Sequence, residues 1–147
     1  MPKPTRSATA RAVDLLSRRD HARAELRRKL LRKGHSPDET RAAIARVEEL
    51  GLHDEEHSCR ALARSFAVHR GYGPIKVRGR LKEKGFERAL VDRAVDELDV
   101  DWAVLCRNSA KKRAHKGRKA VLRFLSTRGF PPTMARCAAE EVAEWDS

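Results

Sequence analysis

Leu81-Lys82-Glu83-Lys84-Gly85-Phe86 recurs 44 residues downstream as Leu125-Ser126-Thr127-Arg128-Gly129-Phe130, and upstream as Leu30-Leu31-Arg32-Lys33-Gly34-His35. One helical turn before each leading leucine stands another apolar residue: Leu26, Val77 and Val121. The correspondence continues past the glycines. Leu90, Val91, Ala94, Val95 and Leu98 match Met134, Ala135, Ala138, Ala139 and Val142 at the same offset. In the first copy, after a three-residue insertion around Ser36-Pro37-Asp38, Ala42, Ala43, Val47 and Leu50 take four of those places. Self-similarity at a fixed period of this size marks a repeat architecture. The sequence therefore predicts three tandem units: 1–53, with a short basic N-terminal tail, then 54–100 and 101–147.

Each unit reads as three short helices. In the second, Cys59, Leu62, Ala63, Phe66 and Ala67 fall at i, i+3, i+4, i+7 and i+8, which is a one-sided apolar stripe. Asp54, Glu55 and Glu56 open that helix, where the positive end of the helix dipole favours acids. Gly71-Tyr72-Gly73 ends it, and Pro74 suits the first turn of a second helix that stops at Gly85. Ser36-Pro37-Asp38-Glu39 is a helix start with a capping serine and a glutamate three residues on, and Pro131-Pro132 opens the last helix similarly. Lys116-Gly117-Arg118 separates two helices of the third unit. The fold class predicted is all-α, an elongated array of three tandem three-helix repeats, because a unit this small must bury its apolar face on its neighbour.

Composition points to the same class. Of 147 residues, 37% are charged and only 5% aromatic, with no runs of the β-branched residues that strands favour. No apolar stretch approaches the ~18 residues of a membrane span, and no apolar segment follows Met1-Pro2-Lys3-Pro4-Thr5-Arg6, so neither a membrane partner nor a signal peptide is expected. Cys59, Cys106 and Cys137 are odd in number and widely spaced, which suits free thiols in the cytoplasm better than a disulfide framework. Lys+Arg outnumber Asp+Glu by 33 to 21, a net +12 that attracts polyanions and acidic protein faces. The excess lies at the ends: +6 over residues 1–53, +1 over 54–100 and +5 over 101–147.

The stretches Gly51-Leu52-His53-Asp54-Glu55, Arg70-Gly71-Tyr72-Gly73-Pro74 and Arg80-Leu81-Lys82-Glu83-Lys84-Gly85-Phe86 resemble the central repeat of the RecX family. Lys119-Ala120-Val121-Leu122-Arg123-Phe124-Leu125-Ser126-Thr127-Arg128-Gly129-Phe130 resembles that family's last repeat, and the likeness extends from about residue 8 to 144. The resemblance implies a regulator built of tandem three-helix repeats, and a monomer is expected. Its implied partner is the RecA recombinase filament, with single- or double-stranded DNA as a further partner. Binding along the filament groove would suppress strand exchange, ATP hydrolysis and co-protease activity.

The candidate contact residues are basic. In the second unit Lys76 and Arg80 lie on one flank of the Val77/Leu81 stripe, Arg78 and Lys82 lie on the other, and Arg70 precedes the turn. Arg27 and Lys29 occupy the places of Arg78 and Arg80 in the first unit. In the third the charge moves to Arg107, Lys111, Lys112, Arg113, Lys116, Arg118, Lys119 and Arg123. Such groups either meet phosphate or acidic surface, or simply solvate a helix face. Phe66, Phe86, Phe124 and Phe130 fit the core or the repeat joints; Tyr72 and Trp145 are candidate surface anchors, and Trp102, opening a helix, is expected to pack against a neighbouring unit rather than serve as an anchor.

No enzyme is expected. HExxH, GxxxxGK[ST], GxGxxG and GxSxG are all absent. His53 and His57 stand four apart but lack a third metal ligand at suitable spacing, so no metal and no cofactor are expected. The alternative reading is a nonspecific or helix-turn-helix DNA-binding protein. It gives the threefold repeat no role, and no helix carries Arg, Asn and Gln together on an exposed face.

Overall fold

Side-chain caps set the helix starts. Ser7 Oγ accepts the Ala10 N–H at 3.0 Å, Ser36 Oγ that of Glu39 at 3.1 Å, and Asp101 Oδ1 those of Ala103 at 3.1 Å and Val104 at 3.3 Å. The computed structural model describes residues 5–145, with side chains as far as Val142. Among these residues there are nine α-helices and no strand. They are α1 (Ala8–Arg18), α2 (Arg23–Arg32), α3 (Pro37–Glu49), α4 (Glu55–Arg64), α5 (Pro74–Glu83), α6 (Arg88–Asp96), α7 (Trp102–Arg113), α8 (Arg118–Thr127) and α9 (Pro132–Trp145). The protein is all-α, and its helices follow one another as three triplets.

The repeated Leu-to-Gly segment closes the middle helix of each triplet in one way. The N–H of the residue after the glycine donates to the leucine carbonyl: His35 to Leu30 at 3.2 Å, Phe86 to Leu81 at 3.3 Å and Phe130 to Leu125 at 3.1 Å. The glycine N–H donates to the residue after the leucine: Gly34 to Leu31, Gly85 to Lys82 and Gly129 to Ser126. This is the Schellman cap, which needs a left-handed residue. The three glycines accordingly have φ of 96°, 98° and 92°. The cap turns the chain inward, so both its leucine and its following residue are buried in every copy.

Contacts divide the chain into two compact units: Met1–Leu62 with Leu81–Ala94, and Ala63–Arg80 with Val95–Ser147. In the first, α1, α2 and α3 enclose Ala8, Ala12, Leu26, Leu30, Ala43, Ile44 and Val47. In the second, α7, α8 and α9 enclose Cys106, Ala110, Val121, Leu125, Phe130, Ala135, Ala138, Ala139 and Val142. Alanine recurs in both cores and lets short helices approach closely.

The structure departs from the sequence reading at the end of α4. Its stripe does not continue as α-helix but widens into a π-helical turn over Ser65–His69, closed by the Arg70 N–H on the Ser65 carbonyl at 3.2 Å. Such a turn inserts one residue and rotates the chain beyond it. Tyr72 then donates its N–H to the Phe66 carbonyl at 3.0 Å, and the two rings stack with centroids 6.0 Å apart.

Candidate nucleic-acid and protein interfaces

In the second unit the backbone first brings two segments together. Gly73 N–H donates to the Arg128 carbonyl at 2.7 Å and Ile75 N–H to the Gly129 carbonyl at 3.0 Å. This joint sets the start of α5 against the end of α8 and gathers cations from both. Lys76 Nζ stands 4.3 Å from the Tyr72 ring centroid, and the Arg128 and Arg80 guanidinium carbons stand at 5.6 Å and 5.9 Å. Arg113 and Arg128 cover Phe124 at 4.5 Å and 5.1 Å. An aromatic face attracts a cation without cancelling its charge, so the rings fix the positive groups in place. A hydrogen bond from Arg70 holds the Tyr72 phenol below its ordinary pKa.

This arrangement corrects the reading of Tyr72 as a surface anchor. Its ring is buried, stacked on Phe66 and lying under Lys76 and Arg128. Trp102 is half-buried and packs against the α7–α9 core. The side chain of Trp145 lies outside the described residues.

The expected contact residues do not form one set. Lys76 and Arg80 meet at Tyr72, but Arg78 points to the other flank of α5 and pairs with Asp96 at 2.6 Å. In the basic block, Arg107 pairs with Glu141 at 3.5 Å and Arg118 with Glu140 at 3.7 Å, both from α9. Lys111, Lys112, Lys116, Lys119 and Arg123 are exposed along α7, the turn after it and α8. Ile75, 55% exposed, stands at a hollow of about 440 Å³ lined also by Leu122, Phe130, Pro132 and Ala135.

In the first unit Arg27 and Lys29 separate. Arg27 lines a hollow with Glu55 and Glu87, whereas Lys29 turns toward α1 and meets His21 Nε2 at 2.9 Å. Lys82 is exposed at the end of α5. Glu25, on the turn before Lys29, is buried and accepts from Arg19 at 2.5 Å and Lys84 at 3.3 Å. Burial pushes its carboxyl up. The Arg19 hydrogen bond and the charges of Lys84 and Arg19 overcome this and hold its pKa at about 2.

Sequence reasoning missed Arg128, which looked like a helix end. The signal was available, because Lys33, Lys84 and Arg128 precede the three capping glycines. It also missed Arg6, Arg11, Arg18 and Arg32, which line a groove of about 460 Å³ with Lys29 and Lys33. Arg6 precedes α1, and Arg11, Arg18 and Arg32 lie on separate turns of α1 and α2, so no spacing within either helix announces the groove.

His53 and His57 do not form a pair of ligands. His53 is buried and donates from Nε2 to the His21 carbonyl at 2.9 Å, while His57 is exposed and its N–H caps onto Asp54 Oδ1 at 3.1 Å. Cys59 and Cys106 are buried, and burial pushes both thiols up to about 11. Among the described residues no helix is long and apolar enough to cross a membrane.

Fold and surfaces together define an all-α helical-repeat protein in which some cations sit on aromatic rings and others pair with carboxylates. Residues 8–46 match the family description "RecX, first three-helix domain". The chain is 34% identical to the regulatory protein RecX of Halorhodospira halophila (strain DSM 244 / SL1) over 142 residues, 92% of this chain and 88% of that one. It is 37% identical over 135 residues to the regulatory protein RecX of Pseudomonas syringae pv. tomato, covering 84% of this chain and 83% of that one. A crystal structure of a regulatory protein RecX shares the fold with a TM-score of 0.77 at 20% identity, covering 90% of this chain and 71% of that chain. So does the crystal structure of RecX from Lactobacillus salivarius, with a TM-score of 0.71 at 20% identity over 92% of this chain and 94% of that chain. The chain belongs to the RecX family of regulatory proteins.

Proposed function

We propose that this protein binds RecA and RecA–DNA filaments and inhibits recombinase, ATPase and co-protease activity, lowering recombination and DNA repair. It acts as a monomer in the cytoplasm, by binding and without catalysis. The observation that carries this reading is the likeness to regulatory RecX proteins along 92% of the chain, including the segments with the ring-held cations. The repeat boundaries at 53/54 and 100/101 are part of the proposal, since each repeat would present its basic helix to successive sites on a filament. Contact is assigned first to Lys76, Arg80 and Arg128, and then to the exposed lysines from Lys111 to Lys119.

The test is the rate of RecA's single-strand-dependent ATP hydrolysis with this protein added well below RecA in concentration. Inhibition at such ratios, with co-sedimentation on preformed filaments, is the expected outcome. Unchanged turnover, alongside tight binding to bare DNA, would overturn the proposal in favour of a nonspecific or helix-turn-helix DNA-binding protein.

A further inference from the structure

The groove between α1 and α2 is lined by Arg6, Arg11, Arg18, Lys29, Arg32 and Lys33, with Asp14 and Leu15 as the remaining lining residues. Asp14 pairs with Arg18 at 3.1 Å and Arg6 at 3.9 Å, so one carboxylate faces six cations.

The two half-buried cations are held in an unusual way. Lys29 Nζ meets His21 Nε2 at 2.9 Å, and His21 Nδ1 lies 3.0 Å from the Arg19 carbonyl. A carbonyl only accepts, so Nδ1 carries the proton and Nε2 presents its lone pair to the ammonium. Arg11 Nε donates to His35 Nε2 at 3.2 Å, which places the proton of His35 on Nδ1. Both histidines are buried; His21 is neutral in this geometry, and His35 Nδ1 lies 3.7 Å from Glu39 Oε2. Burial lowers the pKa of His21, in agreement. A carboxylate in either place would cancel the charge it anchored, whereas a neutral imidazole fixes the position and leaves the charge. Glu25, 3.9 Å from Lys29, already accepts from Arg19 and Lys84.

We propose that this groove binds the phosphate backbone of a nucleic-acid strand without regard to sequence. Its lining argues for that occupant over an acidic protein. Protein interfaces are built round an apolar core, and only Leu15 is apolar here. Surfaces that take nucleic acid are polar and strongly positive. From Arg11 to Arg18 the groove runs about 10 Å along α1, room for roughly two successive phosphates of one strand. The site lies outside every contact assigned to RecA apart from Lys29, and its test contains no recombinase.

The experiment measures anisotropy of a fluorescein-labelled oligo-dT with the full chain over a range of NaCl. Arg18, Arg32 and Lys33 are exposed, so R18Q/R32Q/K33Q should fold, which an unchanged melting midpoint verifies. The variant should weaken binding by about ten-fold or more in low salt and reduce the slope of log affinity against log salt by about 2. A matched variant, R41Q/R46Q/R60Q, removes equal charge from exposed sites paired with Asp38, Glu49 and Glu56, and should change affinity less than three-fold, about 0.7 kcal/mol. At matched ionic strength, tripolyphosphate should displace the oligonucleotide and polyglutamate should not. Equal losses in both variants would assign binding to overall charge and overturn the proposal. Displacement by polyglutamate as readily as by tripolyphosphate would do the same. Tripolyphosphate bound by the groove with the oligonucleotide unaffected by R18Q/R32Q/K33Q would leave a small-anion site and end the strand assignment. Failure in any of these ways leaves RecA inhibition to stand or fall on its own assay.

Discussion

Gly73 donates its N–H to the carbonyl of Arg128, 55 residues away in sequence, at 2.7 Å. A Cβ at position 73 would lie 2.5 Å from the Gly129 carbonyl oxygen and 2.7 Å from the Phe130 nitrogen. Both are backbone atoms, so no side chain can rotate away. Gly73→Ala should therefore destabilise the protein by about 2 kcal/mol, within the range of overpacked sites. A urea titration checks this. An unchanged midpoint would mean that the joint yields.

Gly85 and Gly51 both sit at positive φ, at 98° and 74°, but only Gly85 has a neighbour in the way. Its Cβ would fall 2.5 Å from Ala24 Cβ on α2, whereas nothing lies within 4 Å of Gly51. Gly51→Ala should cost about 1 kcal/mol through backbone strain alone. Gly85→Ala should cost more, because α2 must also shift. Equal melting midpoints for the two variants would show that the contact with Ala24 carries no energy.

If the ring-held cations contact RecA, reversing Lys76, Arg80 and Arg128 should weaken inhibition of its ATP turnover far more than reversing Arg78, which is occupied by Asp96. The loss should be larger in low salt than in high salt and should accumulate over single changes. A folded triple variant that inhibits at wild-type doses would move the contact to the lysines between Lys111 and Lys119.

Acid should destabilise the first unit through two groups. Glu25 has its folded pKa at about 2 against an ordinary 4.5, so its stabilisation is complete above about pH 4.5 and lost as pH falls toward 2. His21 is held below 6.5, chiefly by burial, so the unfolded chain takes a proton first and stability also falls as pH drops through 6.5. Glu25→Gln should cost on the order of 3 kcal/mol at pH 7, and the gap from wild type should close as pH approaches 2. Unfolding curves at pH 7 and pH 3 decide it. A gap that stays constant would place the value of Glu25 in packing.

Local chemistry was legible in the sequence. Each Leu-x-x-x-Gly segment encodes its own cap, because the glycine alone tolerates the left-handed turn and the bonds it makes are within six residues. The apolar stripes, the cap at Ser36 and the break at Gly117, with φ of 93°, follow from the same short-range rules. Which cations gather was not legible. Arg128 meets Lys76 because Gly73 and Gly129 let two backbones touch, and Lys29 parts from Arg27 because His21 offers it a lone pair. The π-turn at Ser65–His69 rotates Phe66 onto Tyr72 and turns a candidate surface anchor into a buried platform for charge. Periodicity assigns a residue to a face of its own helix. Only the packing of separate segments decides what that face meets, since a cation's partner is set by a few ångströms of approach and the sequence specifies no such distance.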